Sequence, residues 1–266
     1  MLNATDDPTV LLVEPSGVQA KVVSKAFADL GMHRIRVVGS ANAALAAMTE
    51  IRPDVVVSAL YLPDMSGTDL VLAMREDDAF AGLPFILVSS ETRPQALDSV
   101  RQAGVCGILP KPFTNKQLRR VLDTTLDFLS IEHDTHIDMR AEDLRILLVD
   151  DSGSARKFMR RLLENLGVRE FYEADNGRNA IAVLENTMVD LVVTDYNMPE
   201  MDGQALVKFI REQSWQSTVP ILMVTSESDQ GRLAAVEAAG VSGICDKPFE
   251  ASVVRDVIAR LLADRA

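Results

Sequence analysis

Residues 192–203 read VVTDYNMPEMDG, and residues 56–67 read VVSALYLPDMSG. Each is a short apolar run followed by a turn containing Pro and Gly, and the two lie 136 positions apart. The same offset of 136 relates RILLVDD at 145–151 to TVLLVEP at 9–15, and Asp246-Lys247-Pro248-Phe249 to Pro110-Lys111-Pro112-Phe113. A constant offset across a whole domain means two copies of one fold, aligned almost without gaps. The period is too long for a solenoid unit, so the chain is a domain duplication. Its 266 residues hold two domains of ordinary size. Positions where the copies differ therefore carry the functional argument.

Outward from these stretches, short apolar runs alternate with amphipathic ones. The second copy has strand candidates at 145–149, 170–173, 190–194, 220–224 and 242–245. Helical spacing occupies 154–166, 177–187, 202–212, 230–239 and 250–264, and the first copy repeats the series 136 positions earlier. Strands of four to six apolar residues alternating with helices imply βαβ units and a parallel sheet. The predicted fold is α/β: two flavodoxin-like (βα)5 doubly wound domains, each with a five-stranded parallel sheet of order 2-1-3-4-5. Ligands of such folds sit at the carboxyl ends of the strands, beside the topological switch.

The predicted domains are 8–130 and 144–266, joined by a charged segment at 131–143. Thr114 and Gln117 fit a capping box for the last helix of the first copy. Leu118, Val121, Leu122, Leu126 and Leu129 form one apolar stripe along it. No Gly or Pro occurs between Pro112 and Gly153, so the connection is expected to be stiff or partly helical.

Hydrophobic residues make up 47% of the chain, enough for two cores, and aromatics only 5%. Such Val-, Leu-, Ile- and Ala-rich content suits helices packed on a buried parallel sheet. The net charge is −12, with both halves acidic. An acidic chain without a basic tract is a poor candidate for nucleic acid or anionic membrane. No apolar run approaches the length of a membrane span, and the first residues lack a signal-peptide pattern, so a cytoplasmic protein is expected. Cys106 and Cys245 are not equivalent in the repeat frame and are expected to be buried free thiols.

In the second copy Asp150 and Asp151 end the first strand, Asp195 the third, Thr225 the fourth and Lys247 the fifth. A parallel sheet converges these side chains on one edge although they span almost a hundred residues. Crowded carboxylates repel one another, and a hard cation holds them ionised. Oxygen ligands that leave room for water and phosphate favour Mg2+. In such a cluster Asp195 can attack a phosphoryl group, Lys247 can pair with one of its oxygens, and the Thr225 hydroxyl can donate to another. Any single Asp at a strand end is equally well a helix cap or a solvated turn; the joint occurrence of five such residues points to chemistry.

On these motifs the second copy resembles a receiver domain of the bacterial two-component response regulators, over its full length. The resemblance implies that Asp195 is the phosphoacceptor. It implies that Asp150, Asp151, Asp195 and the backbone carbonyl of Asn197 bind Mg2+, directly or through water. It implies that Thr225 is the switch hydroxyl, that Lys247 pairs with phosphate, and that the Lys247-Pro248 bond is cis. The phosphoryl donor would be a phosphohistidine on a sensor histidine kinase or phosphotransfer protein. Asn197 and Glu227 occupy positions that tune the acyl phosphate lifetime in the family, a turn residue and a solvated side chain being the alternatives. The sequence departs at Ile244, where many receivers carry Tyr or Phe, so relay by a swinging aromatic ring is in doubt.

In the first copy the matched positions are Glu14 and Pro15 for the acidic pair and Ala59 for the phosphoacceptor. Ser89 replaces Thr225, Lys111 is kept, and Tyr61 stands where Asn197 does. A methyl group cannot accept phosphate, and one acid of three binds a divalent cation poorly. This copy resembles a pseudo-receiver, with Lys111 expected to pair with Glu14 or to point to solvent. Asp64 corresponds to Glu200, outside the site, and is a weak substitute acceptor. His133 and His136 have i, i+3 spacing but no further ligand motif, so solvated linker residues are expected.

The expected role is a phosphorylation-dependent signalling switch, not an enzyme beyond slow autodephosphorylation of Asp195. The chain stops after its last helix, so output is expected through contact with a downstream protein. The first domain would be a docking platform or homodimerisation module. The competing expectation is a phosphorylation-independent adaptor built from two receiver folds, favoured by Ile244.

Overall fold

The computed structural model describes residues 7–91, 93–133, 139–225, 239–247 and 251–263. The chain divides into two compact units, Met1–Ser130 and Ile131–Ala266. The first alternates β1 (Val10–Val13), α1 (Gly17–Ala28), β2 (Ile35–Val38), α2 (Ala41–Glu50), β3 (Val55–Ala59), α3 (Gly67–Glu76), β4 (Phe85–Ser89), α4 (Pro94–Gln102), β5 (Gly107–Pro110) and α5 (Asn115–His133). The second has β6 (Arg145–Val149), α6 (Gly153–Asn165), β7 (Glu170–Ala174), α7 (Gly177–Asn186), β8 (Leu191–Asp195), α8 (Gly203–Glu212), β9 (Ile221–Thr225), β10 (Gly243–Asp246) and α9 (Ala251–Ala263). The helix expected over 230–239 falls, apart from Ala239, outside the described residues.

Each unit has a five-stranded sheet, β2-β1-β3-β4-β5 in the first and β7-β6-β8-β9-β10 in the second, with every pairing parallel. This is the predicted order 2-1-3-4-5, twice. Alternate side chains of a strand point to opposite faces, and both faces are covered. Val10 and Leu12 pack with Ala20, Val23 and Phe27 of α1 and with Leu118 and Leu122 of α5. Leu11 and Val13 pack instead with Ala44 and Met48 of α2 and with Leu70 and Met74 of α3. In the second unit Leu147 and Val149 face Leu184 of α7 and Leu206, Val207 and Ile210 of α8.

Helix starts lie where the sequence supplies caps. Ser16 and Ser152 accept the backbone N–H of Gln19 and Ala155 at the starts of α1 and α6. Thr114 and Gln117 form the reciprocal bonds of a capping box at the start of α5. That helix runs to His133, into the charged segment. A 3-10 turn at Met139–Asp143 then packs against α9, with Ala141 and Leu144 fully buried. The last residues of the expected linker thus belong to the second unit's core.

Candidate functional site

The carboxyl edge of the second sheet gathers the predicted residues. Asp150 and Asp151 follow β6 directly, Asp195 and Thr225 are the last residues of β8 and β9, and Lys247 follows β10. One carboxylate oxygen from each of Asp150, Asp151 and Asp195 lies within 4.8 Å of the others. Asp150 and Asp195 are buried and Asp151 is exposed. The Lys247 side chain is fully buried, its Nζ 2.8 Å from Asp150 Oδ2 and 3.1 Å from Asp195 Oδ2. One ammonium faces three carboxylates, so the cluster keeps an excess of negative charge.

The backbone fixes the acids further. Ser152 N–H donates to Asp150 Oδ1 at 2.8 Å, and Tyr196 N–H to Asp195 Oδ1 at 2.8 Å. Although Asp151 is exposed, partial desolvation of its carboxyl, reinforced by the charge of Asp150, raises it above its ordinary value, with Lys247 opposing. A carboxyl so placed gains from a nearby cation. Oxygen donors converging from three strand ends are the hard ligand set that suits Mg2+, and the donor set here fits that ion.

The turn after β8 needs its glycine. A Cβ on Gly203 would collide with the carbonyl oxygen of Asp195, so α8 starts against the Asp195 backbone. Gly67 stands in the same relation to the carbonyl oxygen of Ala59. This close approach is kept in both units.

Asn197 is exposed beside the acids. Glu227 and Pro248 lie outside the described residues, so the expected tuning position and cis bond of the second unit do too. The matched Lys111–Pro112 bond in the first unit is cis. Ile244 is half-buried and packs on the core cluster of the second unit. His133 ends α5, and His136 is outside the described residues. Both cysteines are buried and neither is in a disulfide.

At the matched edge of the first unit, Glu14 is buried and its Oε2 accepts from Lys111 Nζ at 2.9 Å, one of the two arrangements expected for Lys111. Glu14 Oε1 accepts from Ser16 N–H at 3.0 Å, as Asp150 does from Ser152. Ala59 and Ser89 are buried, Pro15 is exposed, and Tyr61 is 68% exposed. Asp64 lies elsewhere: its carboxylate accepts the N–H groups of Ala41 and Asn42 at the start of α2. Those bonds, that of Asn42 foremost, hold its carboxyl below the usual range.

Two further groups escaped the motifs. Arg75 is fully buried and donates to the carbonyls of Phe80, Leu83 and Gly104; its matched Arg211 donates to Ser217 and Gly240. Burial lowers the Arg75 guanidinium to about 10. Arg156 on α6 donates through Nη1 to the backbone carbonyl of Asp150 at 2.5 Å and through Nε to Glu173 Oε2 at 3.2 Å. Neither belongs to a recognisable string; the repeat frame matches Arg75 to Arg211 and Arg156 to Ala20 but does not reveal what either side chain binds.

The chain belongs to the response regulator receiver domain family, which matches it twice, over residues 10–123 and 146–259. Chemotaxis protein CheY-3 of Vibrio cholerae is 36% identical over 120 residues, covering 45% of this chain and 92% of its own length. Chemotaxis protein CheY of Pseudomonas aeruginosa is 36% identical over 118 residues, covering 44% and 95%. The solved structure of chemotaxis response regulator CheY4 of Vibrio cholerae is 34% identical, covers 44% of this chain and 98% of its own, and superposes with a TM-score of 0.41. The protein is therefore a tandem receiver of two-component signalling. Receivers of this family work with histidine kinases or phosphotransfer proteins and bind Mg2+ at an acidic pocket. Among the described residues no helix is long and apolar enough to cross a membrane.

Proposed function

We propose that the second domain is a phosphorylation switch and the first a pseudo-receiver that serves as a docking or dimerisation module. The observation that carries this reading is the convergence of Asp150, Asp151, Asp195, Thr225 and Lys247 on one sheet edge, against Glu14, Pro15, Ala59, Ser89 and Lys111 on the other. A carboxylate oxygen of Asp195 attacks the phosphorus of a donor phosphohistidine. The P–O bond forms as the P–N bond breaks, and the imidazole leaves with the electron pair. Lys247 and the Thr225 hydroxyl hold phosphoryl oxygens. Asp150, Asp151, Asp195 and the Asn197 carbonyl would hold Mg2+, which supplies neutralisation of the phosphoryl charge. The new charge biases a two-state equilibrium of the surrounding loops, and output is contact with a protein target. No enzymatic turnover beyond slow autodephosphorylation is expected.

A mixed groove of about 730 Å³ on the first domain is compatible with a docking role; Val22, Val23 and Ala26 of α1 line it with Pro112 and Phe113, beside the polar Gln19, Lys25, Asp29, Ser90, Lys111 and Asn115. Val22 is 56% exposed there, whereas Phe158 and Leu162, at the frame positions of Val22 and Ala26, are buried.

Incubation with acetyl phosphate or a phosphorylated kinase and Mg2+ tests the switch. Wild type should take up label and Asp195→Asn should not; label in the variant overturns the assignment. The second reading, a phosphorylation-independent adaptor, is favoured by Ile244, which offers no phenol to signal a change of state. Beryllofluoride with Mg2+ separates the two: a raised thermal midpoint supports the switch, and none supports the adaptor. Trp215 lies in the turn before β9, at the opposite edge of the sheet, so the thermal midpoint is the better readout.

A further inference from the structure

The two copies sort side chains into those both keep and those only the second has. Both keep the helix-capping serines Ser16 and Ser152. Both keep the carboxylate that accepts a backbone N–H where the first strand begins, Asp54 from Thr9 just before β1 and Asp190 from Arg145 of β6. Both keep the arginine of the third helix, and the glycine that abuts the third strand. Groups that build the fold are thus shared. Asp151 and Asp195 are not, and neither are Arg156 and Glu173, whose matched positions hold Ala20 and Val37.

Arg156 and Glu173 form one device. Glu173 Oε2 accepts from Arg156 Nε, and Oε1 accepts from Arg160 Nη1, each at 3.2 Å. Arg160 is held in turn by Glu164 and by the ring of Phe171, 5.1 Å from its guanidinium carbon. So anchored, Arg156 reaches the carbonyl oxygen of Asp150. That oxygen lies in the rigid peptide plane joining Asp150 to Asp151. Gripping it stops rotation of the plane and fixes the origin of the Asp151 side chain. Asp151 is the exposed member of three mutually repelling carboxylates, so of the three it is the one least enclosed by the protein. Glu173 also keeps the guanidinium on the carbonyl and away from the carboxylates, where it would compete with a cation.

We propose that Arg156, held by Glu173, is a positioning residue of the acidic site: it fixes the Asp150–Asp151 peptide so that Asp151 stays in reach of a divalent cation. This rests on the reading of the cluster as a Mg2+ site. Outer-sphere partners of metal ligands commonly change affinity by one or two orders of magnitude when removed.

The test is calorimetric titration of the full chain with Mg2+, beside thermal melts in EDTA. Wild type should bind and Asp150→Asn should not; if wild type fails to bind, the metal reading falls and the proposal with it. Given binding, Arg156→Met should weaken Mg2+ about tenfold, and Glu173→Gln by a smaller factor. Arg156→Lys should recover part of the loss, because an ammonium can reach the carbonyl without the planar fork. In acetyl phosphate labelling, Arg156→Met should need correspondingly more Mg2+ and approach the wild-type rate at saturation. A merely structural strap would lower the EDTA melting point while leaving Mg2+ affinity untouched. Affinity in Arg156→Met within about twofold of wild type, or a rate that saturating Mg2+ does not restore, overturns the proposal.

Discussion

The carboxyl edges of the two sheets share a backbone plan and differ in charge. In the second domain Lys247 bridges Asp150 and Asp195, with Asp151 beside them. In the first, Lys111 has one acid, Glu14, so the pair is internally neutral. The fold tolerates either arrangement, because strand order, helix caps and the Gly67 and Gly203 contacts do not depend on it. Chemistry of this kind is grafted on a fold and can be removed without dismantling it.

The sharpest way to break this comparison is to return an acid to the first domain. In an Asp195→Asn background, Ala59→Asp alone should acquire no phosphoryl label, since Pro15 still supplies no carboxylate and Glu14 stays with Lys111. Labelling by acetyl phosphate with Mg2+ checks this, and label on the introduced carboxylate would show that the first edge lacks only its acceptor.

Next comes a change that should treat both halves alike. Gly67→Ala and Gly203→Ala each force a methyl into a backbone carbonyl, and each should cost its own domain about 3 kcal/mol in denaturant unfolding. A large loss in one domain only would mean that the shared frame is not equally tight.

A smaller effect is expected at the buried pair of the first domain. Lys111→Ala leaves Glu14, only 7% exposed, without its ammonium partner. A loss of about 2 kcal/mol is expected, below that of a fully buried pair because Lys111 is partly in water. Glu14→Gln/Lys111→Met should recover most of it.

The smallest effect concerns Asp151. Its carboxyl is raised by burial and by Asp150, so the folded state favours the protonated form, and stability is lost as pH rises through the folded value. Asp151→Asn should therefore raise the melting point slightly in EDTA near neutral pH. The gain should fade below about pH 4, where wild type is protonated folded or unfolded. The variant should also lose Mg2+ binding, so the same substitution stabilises the apo domain and disables the site.

Much of this was legible in the sequence because the duplication supplies its own control. The constant offset aligned every strand, and apolar runs such as those at 145–149 and 221–225 are buried almost along their whole length. The five site residues were legible because a parallel sheet must bring strand ends to one edge. The turn at Met139–Asp143 was not, since its contact with α9 joins segments over a hundred residues apart. Arg156 was equally hidden: an arginine on an amphipathic helix looks solvated until its partners, a backbone oxygen and a glutamate on another strand, are placed.

The sequence by itself determined the architecture and which copy holds the acids. Hydrophobic periodicity dictates strand and helix, and a missing carboxylate needs no coordinates to be noticed. Tertiary structure alone decided how the acids are held. It joined Lys247 to Asp150 and Asp195, chose Glu14 over solvent for Lys111, put Asp64 on the start of α2, and strapped the Asp150 carbonyl to Arg156. These are contacts of a few ångströms between residues far apart in the chain or on different elements. Their existence depends on side-chain reach and direction in three dimensions, which no one-dimensional pattern encodes.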